Sequence, residues 1–337
     1  MIMLTTAAKA SVKRVKKYPF MPVTLALLLV TLSVLSLKMV SAADDGPDAD
    51  DGRAIANAEY IGTEQCVSCH RQAGTNWAHT VHARAMLSTV DTQSSDAGSG
   101  CEFCHGPGSL HITDPADAAT ILRFSATSVQ PVAAQNARCL GCHRGGQRLH
   151  WHNSAHERQD VACSDCHNPM ARLSDSGLLA NVSINETCFN CHQQQRAEFH
   201  RRSHMPLPEG KIACSDCHNP HGGVTDPLLK TVRVNDTCFE CHAEKRGPFL
   251  WEHAPVRESC LNCHLPHGSN HDMLLDAPRP LLCQQCHSQL GHPNDLLSGG
   301  NLAFGRRPDA RLIGRSCSNC HANVHGSNHP GGVKFTR

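Results

Sequence analysis

The sequence predicts a mostly irregular chain with short α-helices and almost no sheet, an elongated array packed around covalently attached groups instead of an apolar core. Three observations predict it. The string C-x-x-C-H occurs ten times and uses all 20 cysteines, aromatic residues make up only 4% of the chain, and a unit of two such motifs recurs with a period of about 50 residues, the mark of a repetitive architecture.

The motifs come first because they carry the chemistry. Their thiols are Cys66 and Cys69, Cys101 and Cys104, Cys139 and Cys142, Cys163 and Cys166, Cys188 and Cys191, Cys214 and Cys217, Cys238 and Cys241, Cys260 and Cys263, Cys283 and Cys286, and Cys317 and Cys320. Two thiols three positions apart lie on one side of a helical turn, where both can add to the vinyl groups of one porphyrin. The next residue then serves as the proximal iron ligand: His70, His105, His143, His167, His192, His218, His242, His264, His287 and His321. A single copy is also compatible with half a zinc site or a redox dithiol. Ten copies, each with its histidine, are not. The fold class is therefore a multihaem cytochrome c, with ten covalent haem c groups.

In chain order, residues 1–42 read as a secretory signal. Lys9, Lys13, Arg14, Lys16 and Lys17 form a basic region, Val23 to Leu37 an apolar stretch, and Val40-Ser41-Ala42 a small-residue cleavage site. The apolar run is short for a membrane span, which needs about 20 residues, so cleavage near Ala42 is favoured over an uncleaved anchor. Thioether attachment of haem takes place outside the cytoplasm, so the mature chain is expected in the periplasm. Removal of the signal takes away those five bases and Lys38 but no acid, leaving 25 basic against 30 acidic residues. A basic nucleic-acid footprint is absent. Residues 43–62, opening with the acidic run ADDGPDADDGR from Ala43, read as a flexible leader, and STVDTQSSDAGSG before Cys101 reads as a loop.

From Cys163 onward the motifs are regular. Cys163, Cys214 and Cys260 each open a unit whose second motif starts at Cys188, Cys238 and Cys283. Each first motif is followed by N-P-M, N-P-H or L-P-H and then a leucine pair, Leu178-Leu179, Leu228-Leu229 and Leu274-Leu275. Such a unit can bury its cofactor faces only against its neighbours. With roughly 30 residues of mature chain per macrocycle, a conventional core is out of reach, and cofactor binding is expected to supply most of the folding free energy.

Fifteen of the 25 histidines lie outside the motifs, a surplus best explained by iron ligation. His221 and His267 follow a proximal histidine by three residues and His325 by four. Reaching the distal face of the same ring would mean passing around the macrocycle, so each is expected to serve a neighbouring haem. Met170 holds the place of His221 and His267 in the first unit. A thioether can ligate haem iron and raise its potential, or simply fill a gap against an apolar ring. The number of available histidines favours the packing role.

With CSDCHNPHG, NDTCFECHAEKRGPFLWEHAP, LCQQCH and the terminal CHANVHGSNHP, the chain resembles the periplasmic decahaem cytochromes of the MtrA/DmsE family over nearly all of its mature length. The resemblance implies two five-haem halves, residues 63–207 and 208–337. It implies predominantly bis-histidine, low-spin haems with distal ligands at His82, His111, His156, His204, His221, His253, His267, His292, His325 and His329. His79, His150, His152, His200 and His271 remain as alternates, His152 being the strongest rival to His156.

It further implies an electron carrier that is not an enzyme. Such a protein sits in an outer-membrane β-barrel porin and passes electrons between a periplasmic or inner-membrane quinol-linked cytochrome donor and an extracellular multihaem cytochrome or surface reductase. Two other functions compete: a free periplasmic shuttle, and a multihaem nitrite or hydroxylamine reductase. The reductase would need an open iron face, commonly marked by C-x-x-C-K, which does not occur here.

Overall fold

A computed structural model describes residues 57–89, 100–287 and 316–336. Contacts divide the chain into Met1–Asp48 and Ala49–Arg337. The signal, most of the acidic leader, residues 90–99 of the first loop and His292 lie outside the described residues.

Each attachment motif is one turn of helix. In nine motifs the backbone N–H of the histidine donates to the carbonyl of the first cysteine at 2.8–3.1 Å, and the tenth lies within the helix Cys101–His105. This i to i−4 closure puts the first thiol and the histidine one above the other. The turns seldom extend far. Among the described residues there are thirteen α-helices, and the longest, Val81–Thr89 and Val132–Leu140, have nine residues. Helices this short are marginal in isolation, so tertiary contacts and the covalent cofactor must hold them.

Strands are absent among the described residues, and the only ladder contacts are five isolated antiparallel bridges. Three have one meaning. His167 bridges Leu179, His218 bridges Leu229 and His264 bridges Leu275, so the leucine pair is the point at which the chain returns to its own motif. The first leucine of each pair, Leu178, Leu228 or Leu274, takes a positive φ of 47°, 62° or 59°. That conformation costs an L-residue about 1–2 kcal/mol. It turns a carbonyl back onto Asn168, Asn219 or Leu265, whose N–H donates at 2.6–2.8 Å. The residue after the pair then donates to the second cysteine's carbonyl, from Ala180 to Cys166, Lys230 to Cys217 and Asp276 to Cys263.

The apolar core is small. Ten apolar side chains are buried among the described residues, and four of them are alanines. The one cluster joins Phe189, Phe199 and Leu207, with Met205, Ile212 and Cys214 against it. Ten such side chains release too little apolar area to offset the ordering of a chain this long.

Polypeptide made without haem attachment should therefore give the far-ultraviolet circular dichroism of an unfolded chain, whereas the holo-protein should unfold cooperatively. A folded, cooperative apo-chain would show that the polypeptide contacts suffice.

Candidate haem-ligating centre

Histidines from distant parts of the chain meet two by two, and each pair joins one motif histidine to one outside the motifs. Ring centroids stand 6.1 Å apart for His70 and His111, 5.9 Å for His82 and His143, 6.2 Å for His156 and His192, and 5.9 Å for His167 and His221. The other three pairs are His218 with His267 at 6.2 Å, His253 with His287 at 6.1 Å, and His264 with His325 at 6.1 Å. In four of the seven the rings are within 20° of parallel, yet they are too far apart for direct stacking. A metal–nitrogen bond of about 2 Å on each side, plus about 1 Å from nitrogen to ring centre, separates two imidazoles on one iron by about 6 Å. The spacing fits that group. Among the described residues no three His, Cys, Asp or Glu side chains gather as a protein-only metal cage.

The motif histidines are oriented from behind. Nδ1 of His167 faces the Gly177 carbonyl at 2.7 Å, and those of His218 and His264 face the carbonyls of Pro227 and Met273 at 2.9 Å. His105 does the same with Leu122 at 2.8 Å and His321 with Lys334 at 2.5 Å. A carbonyl can only accept, so Nδ1 carries the proton and Nε2 keeps its lone pair for a metal. Among the non-motif histidines, Nδ1 of His156 lies 2.7 Å from the Pro220 carbonyl and that of His253 lies 3.1 Å from Val324. Burial holds His82, His111, His253, His267 and His325 below the usual imidazole range, and His221 down to about 4. They are therefore neutral, the form that binds metal. The buried Nδ1 atoms of His82, His111 and His221 find no partner in the polypeptide, a cost of about 1–3 kcal/mol each unless the bound cofactor supplies one.

Successive attachment turns are clamped in twos by asparagines to which the motif pattern does not point. Asn136 accepts from Cys163 N–H at 2.8 Å and donates to Val161 O at 3.1 Å. Asn185 accepts from Cys214 N–H at 3.0 Å and donates to Ile212 O at 3.3 Å. Asn235 accepts from Cys260 N–H at 2.7 Å and donates to Val256 O at 3.0 Å. Each stands three residues before the first cysteine of one motif and grips the first cysteine of the next; Thr63 does so for Cys101 at 3.3 Å. Across these clamps Cys66 meets Cys101 and Cys238 meets Cys260, and Cys283 likewise stands beside Cys317. Burial, with the neighbouring thiol, pushes Cys66 and Cys283 up to about 11 and Cys238 to about 12, so none is a free thiolate. Glu102 braces the first two motifs from within, its buried carboxylate accepting from the N–H groups of Ile61, Gly62 and Gly108.

The doubled C-x-x-C-H family model matches residues 204–247 and 253–292, and the model of NrfB-like c-type cytochromes matches 101–176. The chain is 38% identical over 288 residues to the multihaem cytochrome MtrA of Shewanella baltica, covering 84% of each protein. The chain belongs to the MtrA family of multihaem c-type cytochromes. As an MtrA-family cytochrome it binds covalent haem c and is an electron carrier, not an enzyme. The polyhaem cytochrome OmcB of Geobacter sulfurreducens is more distant, 22% identical over 58% of this chain and 25% of its own. An undecahaem S-layer cytochrome of Carboxydothermus ferrireducens is 17% identical, with a TM-score of 0.12 over 74% of this chain and 35% of its own.

Of the other MtrA-type ligand candidates among the described residues, His204 and His329 meet different groups. His204 sets Nδ1 on the Arg201 carbonyl at 2.7 Å and Nε2 on Glu209 at 3.1 Å. His329 accepts from Gly331 N–H through Nδ1 at 3.1 Å. His152, the rival of His156, lies against Glu157 at 3.1 Å, while His156 faces His192.

Replacing Asn235 with alanine removes three part-buried hydrogen bonds, those to Cys260 N–H and to the Val256 and Arg257 carbonyls. We expect a loss of about 1–3 kcal/mol, read as a lower denaturant midpoint at unchanged haem content. Asn235→Thr should recover part of the loss, because Thr63 fills the same place.

Proposed function

We propose that this cytochrome is a periplasmic decahaem conduit that carries electrons across the outer membrane inside a β-barrel partner. The observation that carries this reading is the set of seven opposed histidine pairs, which closes both faces of each iron it would hold. Haem iron supplies one-electron exchange, and the chain's work is to hold it and tune it. The motif turn fixes one ligand, the carbonyl behind Nδ1 fixes its tautomer, and a histidine from elsewhere closes the other face. A reductase needs an open face for substrate, and the pairing closes seven of the ten sites.

The ligand map follows from the pairs. His111, His82, His221, His156, His267, His325 and His253 serve the motifs of His70, His143, His167, His192, His218, His264 and His287. His204 stands before its unit as His156 and His253 stand before theirs. Those two face the second motif of their own units, so His204 falls to the motif of His242. His292 and His329 lie beside the last motifs and are the candidates for His321. Ten haems, a cleaved signal near Ala42, and five-motif halves at 63–207 and 208–337 complete the reading. The pair of His167 with His221 crosses the junction of those halves.

Among the described residues no helix is long and apolar enough to cross a membrane. A separate barrel is the carrier in this reading, and the similarity to MtrA over 84% of each protein supports it. The intact mass of the purified holo-protein should exceed that of the polypeptide from residue 43 by ten haems. Fewer haems in a fully redox-active sample would refute the count.

Proteoliposomes holding the cytochrome with its barrel should pass electrons from an external reductant to an enclosed dye. Equal transfer without the barrel would establish the shuttle. Turnover of nitrite or hydroxylamine at enzymatic rates would establish the reductase.

A further inference from the structure

The three histidines that closely follow a motif obey one register. His221 follows the motif of His218 and faces His167; His267 follows that of His264 and faces His218; His325 follows that of His321 and faces His264. Each ring lies opposite the motif two places earlier. The same step taken from the motif of His167 starts at Met170 and ends at His105.

The loop that carries Met170 is built like the others. The Met170 N–H donates to Asn168 Oδ1 at 3.0 Å, as the His221 N–H donates to Asn219 Oδ1 at 3.2 Å. Asn168 N–H donates to Leu178 O and Asn219 N–H to Leu228 O, so residues 170 and 221 leave equivalent turns. One neighbour differs. Beside the histidines stand Gly222, Gly268 and Gly326, where an added Cβ would come within 1.9 Å of the His150 carbonyl, 1.9 Å of the Glu198 carbonyl and 2.3 Å of the Phe249 ring. Beside Met170 stands Ala171, so no upstream segment presses on this loop as closely. The exchange of His-Gly for Met-Ala is thus a change of the whole contact, and it leaves room for an unbranched side chain.

His105 completes the argument. Its Nδ1 is on the Leu122 carbonyl, which leaves Nε2 for iron, and its ring meets Phe124 edge-on at 5.2 Å. Among the described residues no histidine ring stands opposite it at about 6 Å, the spacing set by two imidazoles on one iron. The count that favours a packing role for Met170 relies on His156 or His152 being available nearby. His156 faces His192 instead, and His152 lies against Glu157.

We infer that Met170 is the distal ligand of the haem on the His105 motif, making it a His/Met centre among bis-histidine ones. The inference rests on the decahaem reading above. A thioether stabilises the reduced iron, so this haem has a higher potential than its neighbours.

Near-infrared magnetic circular dichroism of the oxidised holo-protein, with intact mass on the same samples, tests this. The wild type should show a methionine-to-iron charge-transfer band of about one haem in ten. Met170→Ala should lose it and gain one high-spin haem, with ten haems still attached. Met170→His should lose the band while staying wholly low-spin, and its highest-potential redox step should move down. No band in the wild type, or a band that survives in Met170→Ala, overturns the inference and leaves the decahaem reading intact. If Met170→Ala does not accumulate, Met170→His decides alone: an unchanged band and redox titration overturn the inference. A wild-type mass short of ten haems overturns the underlying reading instead.

Discussion

The histidine one turn after its cysteine is fixed twice, and the rest of the structure depends on that. The turn sets its height above the thiols, and in several motifs a carbonyl behind Nδ1 sets its plane and its proton. Both constraints come from nearby chain, the carbonyl lying no more than 17 residues beyond the histidine. What remains is to bring a second donor to the other face.

The second donor comes from elsewhere in the chain, and this ties the units together. His221 reaches back to the motif of His167 while its own backbone belongs to the next unit, and Pro220 beside it accepts the proton of His156, which faces His192. One loop therefore steadies two pairs. The asparagine clamps add a second linkage at shorter range, from one attachment turn to the next. A chain with few buried apolar residues thus gains its order from a ladder of directional bonds. Directional bonds specify geometry more narrowly than hydrophobic contact does.

Much of this was legible in the sequence, because thioether chemistry demands a fixed spacing and the repeat exposes its own equivalents. The near-absence of sheet and the shortness of the helices among the described residues followed from the ten motifs, the scarcity of aromatic residues and the repeat. That His221 turns away from its own macrocycle could be argued from sterics. Which motif it meets could not, since the answer depends on how the leucine pair returns the chain. Asn136, Asn185, Asn235 and Glu102 carried no signal either. Asparagine before a cysteine is unremarkable until the next turn folds onto it, and a glutamate inside C-E-F-C-H reads as solvent-facing until its three backbone donors arrive. The glycines after His221 and His267 carried no signal in the sequence, and a carbonyl 1.9 Å from where a Cβ would stand explains each of them.

The backward reach of the paired histidines also sets an order in time. On the export reading proposed above, the chain emerges from its N-terminus, and its segments become available in that order. The motif of His167 can receive its haem as soon as residue 167 is across, yet the ring that faces it is carried at residue 221. His218 waits for His267 and His264 for His325 in the same way. An iron held at one of these motifs would have one face open to water and small oxidants until the next fifty or so residues had followed. A chain that stalled in translocation would then expose the last iron it had loaded.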